Sequence, residues 1–216
     1  MEFLLPLLTL ATVQILAVIS PGQSFLVISK LALSTGRPAA LCASVGMGLG
    51  STIWATAAMI GLAVALKHDQ WLYAMLKFCG GSYLGYLAVS HWRHSHDVAS
   101  KEMQVSKKVT LSAAFLQGLL TQLANPKVIV FFGSIFFAFI PPHAPTWVSL
   151  ICLIIVFCNE ALWYSIVSFA FSVEKSQNFY FLAKTWIDRI MALVLGAIGV
   201  KLILDALQIA GRFVDL

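Results

Sequence analysis

Along this chain the apolar residues neither alternate nor recur every third or fourth position; they run on in long blocks interrupted by short polar steps. A block that crosses a bilayer needs about 20 mostly apolar residues. About six can be cut, at 3–33, 38–66, 71–93, 111–140, 145–173 and 184–210. Stretches such as 128–140 and 148–157 carry no charged residue. The steps between blocks hold turn and charge signals, among them Thr35-Gly36-Arg37-Pro38, Lys67-His68-Asp69, Pro141-Pro142-His143-Ala144-Pro145 and Glu174-Lys175-Ser176-Gln177-Asn178. The most hydrophilic segment, 93–108, is too short for a domain of its own, so one all-α membrane domain spanning 1–216 is expected. The first block has no basic lead and no small-x-small step near Ser20, and it is expected to be retained as the first helix.

Two blocks are interrupted from within. Ser20-Pro21-Gly22-Gln23 sits inside the first, and Asn125-Pro126-Lys127 inside the fourth. Proline removes a backbone hydrogen bond and pushes the preceding residue out of the helical region, so each span is expected to break there. A new helix then starts after the break, with Ser20 or Asn125 as N-cap and Pro21 or Pro126 in the first position. The N–H groups of Gly22, Gln23, Lys127 and Val128 are left to be satisfied by protein, water or ligand at mid-membrane depth. Two such helix starts, each with a partial positive charge and free donors, make a seat for a carboxylate. Lys127 strengthens that expectation, because a cation in a first helical turn is unfavourable without an anion nearby. A pair of purely structural kinks would leave the same trace.

A shift of 105 residues lays Ser20-Pro21 on Asn125-Pro126, the second block on the fifth and the third on the sixth. Three spans per half is an odd number, so the halves, about 1–93 and 109–216, are expected to lie upside down relative to each other. Inverted repeats with broken helices at their interface are a secondary-transporter architecture. Lysine and arginine cluster after blocks one, three and five (Lys30, Arg37, Arg93, Lys101, Lys107, Lys108, Lys175, Lys184, Arg189), against Lys67 and Arg212 on the other side. The positive-inside rule then puts both termini on the periplasmic side and the 94–108 loop in the cytoplasm.

Composition narrows the field. With 60% apolar and 11% charged residues among 216, and mean hydropathy of +0.89, no single aqueous core hides this much apolar surface. The net charge of +5 is spread thinly between apolar blocks, which argues against nucleic acid as a partner. Cys42, Cys79, Cys152 and Cys158 form no Cys-x-x-Cys pair and are read as free thiols. No P-loop, His-Glu-x-x-His or Gly-x-Ser-x-Gly pattern occurs, and Gly46-Met47-Gly48-Leu49-Gly50 has no strand before it. A non-enzyme without a cofactor is expected, energised by an ion gradient or a separate subunit. Gly46-x-x-x-Gly50 and Gly81-x-x-x-Gly85 read instead as close helix contacts.

Glu160 stands mid-span beside Asn159, a depth at which an ionisable residue is a functional candidate. It either carries a proton or neutralises Lys127. Asp188-Arg189, and Lys201 with Asp205, are expected to pair along the last helix or to reach for the interface. His91, His94 and His96 raise a metal site, against which stand the lack of a nearby Cys and a position at the cytoplasmic mouth.

Ser20-Pro21-Gly22-Gln23, Gly36-Arg37, Leu76-Lys77-Phe78-Cys79-Gly80-Gly81-Ser82-Tyr83-Leu84, Gly118-Leu119-Leu120 leading to Asn125-Pro126-Lys127, and Arg189 with Gly196 and Gly199 together resemble the LysE/RhtB family of amino-acid exporters. The resemblance covers nearly the whole chain. It implies efflux of amino acids or their derivatives from a bacterium across the inner membrane by exchange with protons, with substrate held at Ser20, Pro21, Gly22, Gln23, Asn125, Pro126 and Lys127. The first motif departs from the family's Pro-Gly-Pro form, since Gln23 stands for the second proline and adds an N–H and an amide. A metal-ion exporter of related architecture and a non-transporting scaffold or subunit, for which the small size and short loops leave room, are the alternatives, and a homo-oligomer is compatible with each.

Overall fold

A computed structural model describes residues 3–20, 22–68, 70–93, 109–140, 144–170 and 174–214. These form eight helices, α1 (Leu4–Ile19), α2 (Gln23–Ser34), α3 (Arg37–His68), α4 (Gln70–Arg93), α5 (Leu111–Leu123), α6 (Pro126–Phe139), α7 (Thr146–Ala170) and α8 (Glu174–Val214), with no strand among the described residues.

The expected breaks are where α1 gives way to α2 and α5 to α6. Ser20, preceding Pro21, is extended (φ −62°, ψ 124°) and closes α1 by donating its N–H to Leu16 O. The chain bends by 59° between α1 and α2 and by 58° between α5 and α6. At the second break Asn125 is extended (φ −83°, ψ 107°), Pro126 takes the first helical position, and Asn125 Oδ1 accepts from Lys127 N–H at 3.1 Å. The first break differs from expectation. Gly22, not Ser20, is the N-cap of α2, and no side chain caps that helix. Pro21 lies outside the described residues.

Between α2 and α3 the turn requires a left-handed residue, and Gly36 supplies it at φ 103° while its N–H closes on Leu31 O. Three helices are long and apolar enough to cross a membrane (Arg37–Leu62, Thr146–Ala170 and Thr185–Gly211), and the two bent pairs raise the number to five. By length alone α4 is compatible with a sixth crossing, since its 24 residues reach about 36 Å, more than the roughly 30 Å hydrocarbon core, but it is not among the helices apolar enough to cross. Lys77 lowers its hydropathy, yet that charge meets Asp205 of α8 at 3.1 Å. An all-α membrane protein follows, and six spans are compatible with it. Outward faces carry large apolar side chains, with Leu5 73% and Leu193 66% exposed, which suits lipid rather than water.

Helix directions follow from who meets whom. Lys77 meets Asp205, Gly81 meets Gly199, and His91 meets Asp188, so α4 and α8 run antiparallel. Ser44 contacts Ser168 and Ser51 bonds to Glu160, so α3 and α7 do too. In contrast α5 runs parallel to α3, with Gly118 beside Ala43 and Trp54 Nε1 donating to Leu123 O. Likewise α1 runs parallel to α7, where Phe3 stacks edge-on against Trp147 and Asn159 Nδ2 donates to Gln14 Oε1. Exchanging the halves maps the two antiparallel pairs on themselves and the two parallel pairs on each other. That pattern is compatible with inverted repeats.

Lipid supplies no hydrophobic drive between helices, so small residues set their approach. A Cβ at Gly118 would overlap the backbone of Ala43, and one at Gly46 the carbonyl of Phe115. A Cβ at Gly81 would come within 2.7 Å of Gly199 O, and one at Gly199 within 2.7 Å of Gly81 O. Gly85 helps through its backbone alone, since a Cβ there meets nothing within 4 Å. One charge pairing differs from expectation: Asp205 pairs with Lys77 across helices instead of with Lys201, whose ammonium lies 5.7 Å from the Phe139 ring centroid.

Gly118→Val is expected to lose at least the roughly 1–3 kcal/mol of an overpacked contact, seen as a lowered melting temperature of the purified protein. Gly61→Ala, where a Cβ meets nothing within 4 Å, should hold or raise it. Asn125→Ala removes the α6 cap and should cost about 1 kcal/mol, a fall of roughly 2–4 °C. Asn125→Asp keeps the acceptor, so an equal fall in that variant would show that the cap is not what the amide contributes.

Candidate functional site

Packing the two breaks against each other leaves a cavity of about 220 Å³. Ser20, Gly22, Gln23, Asn125, Lys127 and Glu160 all line it, although they come from widely separated parts of the chain. Pro126 is exposed and is not on the wall.

The two helix starts are not equivalent. At α6 the expected free donors are taken, since Lys127 N–H goes to Asn125 Oδ1 and Val128 N–H to Asn125 O at 3.0 Å. At α2 no side-chain cap intervenes, so the donors of Gly22 and Gln23 stand beside the cavity at the positive end of the helix dipole. Lys127 lies in the first turn of α6, where the helix dipole opposes it. Its Nζ donates to Ala17 O at 3.4 Å, in the last turn of α1, whose carbonyl end offsets that repulsion. The helix break thus accommodates the lysine on its own wall.

Glu160 projects from the middle of α7 and is 4% exposed. A directed set of hydrogen bonds converges on it. Asn125 Nδ2 donates to Ser24 Oγ (3.4 Å), Ser24 Oγ to Gln122 Oε1 (2.6 Å), and Gln122 Nε2 to Ser51 Oγ (2.7 Å) and Glu160 Oε1 (3.1 Å). Ser51 Oγ also donates to Glu160 Oε1 at 2.9 Å. Charge-assisted bonds of this kind fix a carboxylate firmly. Glu160 Oε2, also buried, has no hydrogen-bond partner among the described residues. Lys127 and Glu160 share the cavity, but no ion pair joins them among the described residues.

Ser20 has a role that its sequence position did not suggest. Its hydroxyl donates to Asp188 Oδ1 at 3.0 Å, and His91 Nδ1 lies 3.2 Å from the same oxygen. The end of α1 is thereby tied to α4 and α8. Arg189 lies over the Trp92 ring at 5.6 Å, so the adjacent Asp188 and Arg189 face different partners on other helices. His94 and His96 lie outside the described residues, and no group of three metal-ligating side chains occurs among those described.

Reading the sequence for prolines missed Ser24, Gln122 and Ser51. Ser24 lies in the first turn of α2 and Gln122 in the last turn of α5, so polar residues within one turn of each break were the signal available. Ser51 carried no comparable signal, as a serine amid Gly and Ala residues reads equally as a packing residue. Phe131, Phe132 and Tyr164 complete an apolar side of the cavity. A positive end, a lysine, a fixed acid and an aromatic wall together accept a small ligand with charge of both signs and an apolar portion.

Comparison with known proteins gives the same chain a family. The model for the LysE type translocator matches residues 15–206. The threonine efflux protein of Escherichia coli K12 is 30% identical over 201 residues, covering 92% of this chain and 97% of that protein. The threonine efflux protein of Salmonella typhi is 29% identical over 91% of this chain and 97% of its own length. An uncharacterized membrane protein of Haemophilus influenzae is 24% identical over 94% and 98% of the two chains. No solved structure matches. With a family match across both broken helices and every element that lines the cavity, this chain belongs to the LysE family of membrane translocators.

Proposed function

We propose that the protein exports amino acids or their derivatives across a bacterial inner membrane by exchange with protons. The observation that carries this is the cavity at the two helix breaks, with Lys127 and the uncapped start of α2 on its wall. A substrate carboxylate accepts hydrogen bonds from the Gly22 and Gln23 N–H groups and pairs with the Lys127 ammonium. The Gln23 amide, at the mouth of the same helix, adds a donor and an acceptor. The volume of about 220 Å³ suits an amino acid of modest size, and the aromatic side takes its aliphatic portion. The names of the relatives from Escherichia coli and Salmonella typhi point to threonine as the first substrate to try.

In this reading the two halves, 1–93 and 109–216, are inverted three-helix repeats joined by a cytoplasmic 94–108 segment, and both termini face the periplasm. The pairing of parallel and antiparallel helices supports it, as does the distribution of lysine and arginine. Alternating access then proceeds by movement of the halves around a site that both contribute to, and a homo-oligomer is compatible with this.

Proteoliposomes loaded with labelled L-threonine and other common amino acids, with and without a pH gradient, test the proposal. Efflux stimulated by an inward proton gradient is expected. Lys127→Ala should lower it by roughly ten- to a hundredfold, the loss of a charge-assisted bond worth about 1.5–3 kcal/mol, while Lys127→Arg keeps a measurable part. Full activity in Lys127→Ala would remove the lysine from the site, and no flux of any amino acid would favour a scaffold.

A further inference from the structure

Glu160 supplies one carboxylate oxygen that the fold uses and one that it does not. Oε1 accepts from Ser51 Oγ at 2.9 Å and from Gln122 Nε2 at 3.1 Å, which fills its lone pairs and fixes the plane of the carboxylate. Oε2 is buried with no hydrogen-bond partner among the described residues, in a residue that lines the cavity. An ionised oxygen left so is costly; a proton removes the cost, and of hydrogen-bond donors the N–H of a cation offsets it most strongly.

The surroundings decide what else acts on it. On α7 itself Tyr164 lines the same cavity, and from α6 Lys127 does. Of the helices packed against α7, α1 brings Gln14, α2 brings Ser24, and α3 brings Ser51, none of which titrates. Arg37 of α3 meets α7 at Phe169, far along the helix. Gln122 comes from α5. Asp188 and His91, from α8 and α4, are joined to Ser20 at the end of α1. Lys127 is therefore the charged side chain that shares the cavity with Glu160, and it repels a second cation there unless that cation brings an anion along.

We infer that Glu160 Oε2 receives the ammonium group of the substrate and a proton in turn, so that one displaces the other. This rests on the amino-acid export reading, since it takes the Lys127 end of the cavity as the seat of the carboxylate. A zwitterion fits both ends: its carboxylate meets Lys127 and its ammonium meets Oε2. The exchange balances. On the cytoplasmic side the protonated Glu160 meets an ammonium-bearing substrate, the O–H bond breaks, the proton leaves to water, and Oε2 accepts an ammonium N–H. On the periplasmic side a proton forms the O–H bond again and the substrate departs. Because one oxygen holds either partner, neither crosses with the other, and exchange is obligatory without any further coupling residue.

Calorimetric binding of L-threonine and a panel of other amino acids to the purified full chain, between pH 5 and 9 and in two buffers of different ionisation enthalpy, tests this. The wild type is expected to release up to one proton per bound substrate and to lose affinity by up to tenfold per pH unit on the acid side, as linkage requires. Glu160→Gln should bind more weakly, with neither proton release nor pH dependence, and Glu160→Asp should keep both. N-acetyl-L-threonine, which lacks the ammonium, should not distinguish wild type from Glu160→Gln. Binding of an amino acid by the wild type with pH-independent affinity and no proton release overturns this inference alone. So does proton release that persists in Glu160→Gln. Absence of binding by every amino acid overturns the export reading as well, and if Glu160→Gln does not fold, the wild-type proton count and Glu160→Asp decide.

Discussion

Inside a bilayer every backbone N–H and C=O must find a partner in the protein, in a ligand or in enclosed water. The rest of this structure is arranged around two places where that demand is hardest to meet. Each proline step leaves a helix end at a depth where lipid offers nothing. The second break resolves the demand locally, since Asn125 takes the N–H of Lys127 on its side chain and that of Val128 on its carbonyl. The first leaves the start of α2 without a side-chain cap, beside a cavity. One break carries a side-chain cap and the other shows none among the described residues, although the sequence presents them as a matched pair.

Charge follows the same economy of partners. Lys127 rests on the carbonyl end of α1, Lys77 on Asp205, Arg189 on Trp92, and Lys201 on Phe139, each a contact between different helices. Polar groups at this depth therefore serve as connections in the bundle as well as candidates for transport. Glu160 is held in the same way by Ser51 and Gln122, but only through one of its oxygens.

Five of the expected spans were legible because hydropathy reports them directly, α4 standing apart, and the breaks because proline constrains its own φ and its neighbour's conformation. Asn125 was legible as a cap for the same local reason. Ser20 was not: its hydroxyl is drawn to Asp188 and His91, distant in sequence, and this tertiary pairing overrides the local preference for capping. Asp205 likewise chose Lys77 over the Lys201 four residues away. Glu160 could be singled out by depth alone, whereas its partners Ser51 and Gln122 required knowing that α3 lies antiparallel to α7 and that α5 ends beside both. Glycines at 46 and 81 were readable as close contacts in kind, whereas Gly118 was not, and which helix each one admits depends on the assembled bundle.

The tie between Ser20 and Asp188 has a mechanical consequence. The residue that closes α1 is held to α4 and α8, while Ser24, in the first turn of α2, is held to Gln122 and Asn125 at the other break. The two sides of the first break are thus fastened to different helices. A continuous helix there would be a stiff rod between those attachments; the 59° bend between α1 and α2 lets each side meet its own partners.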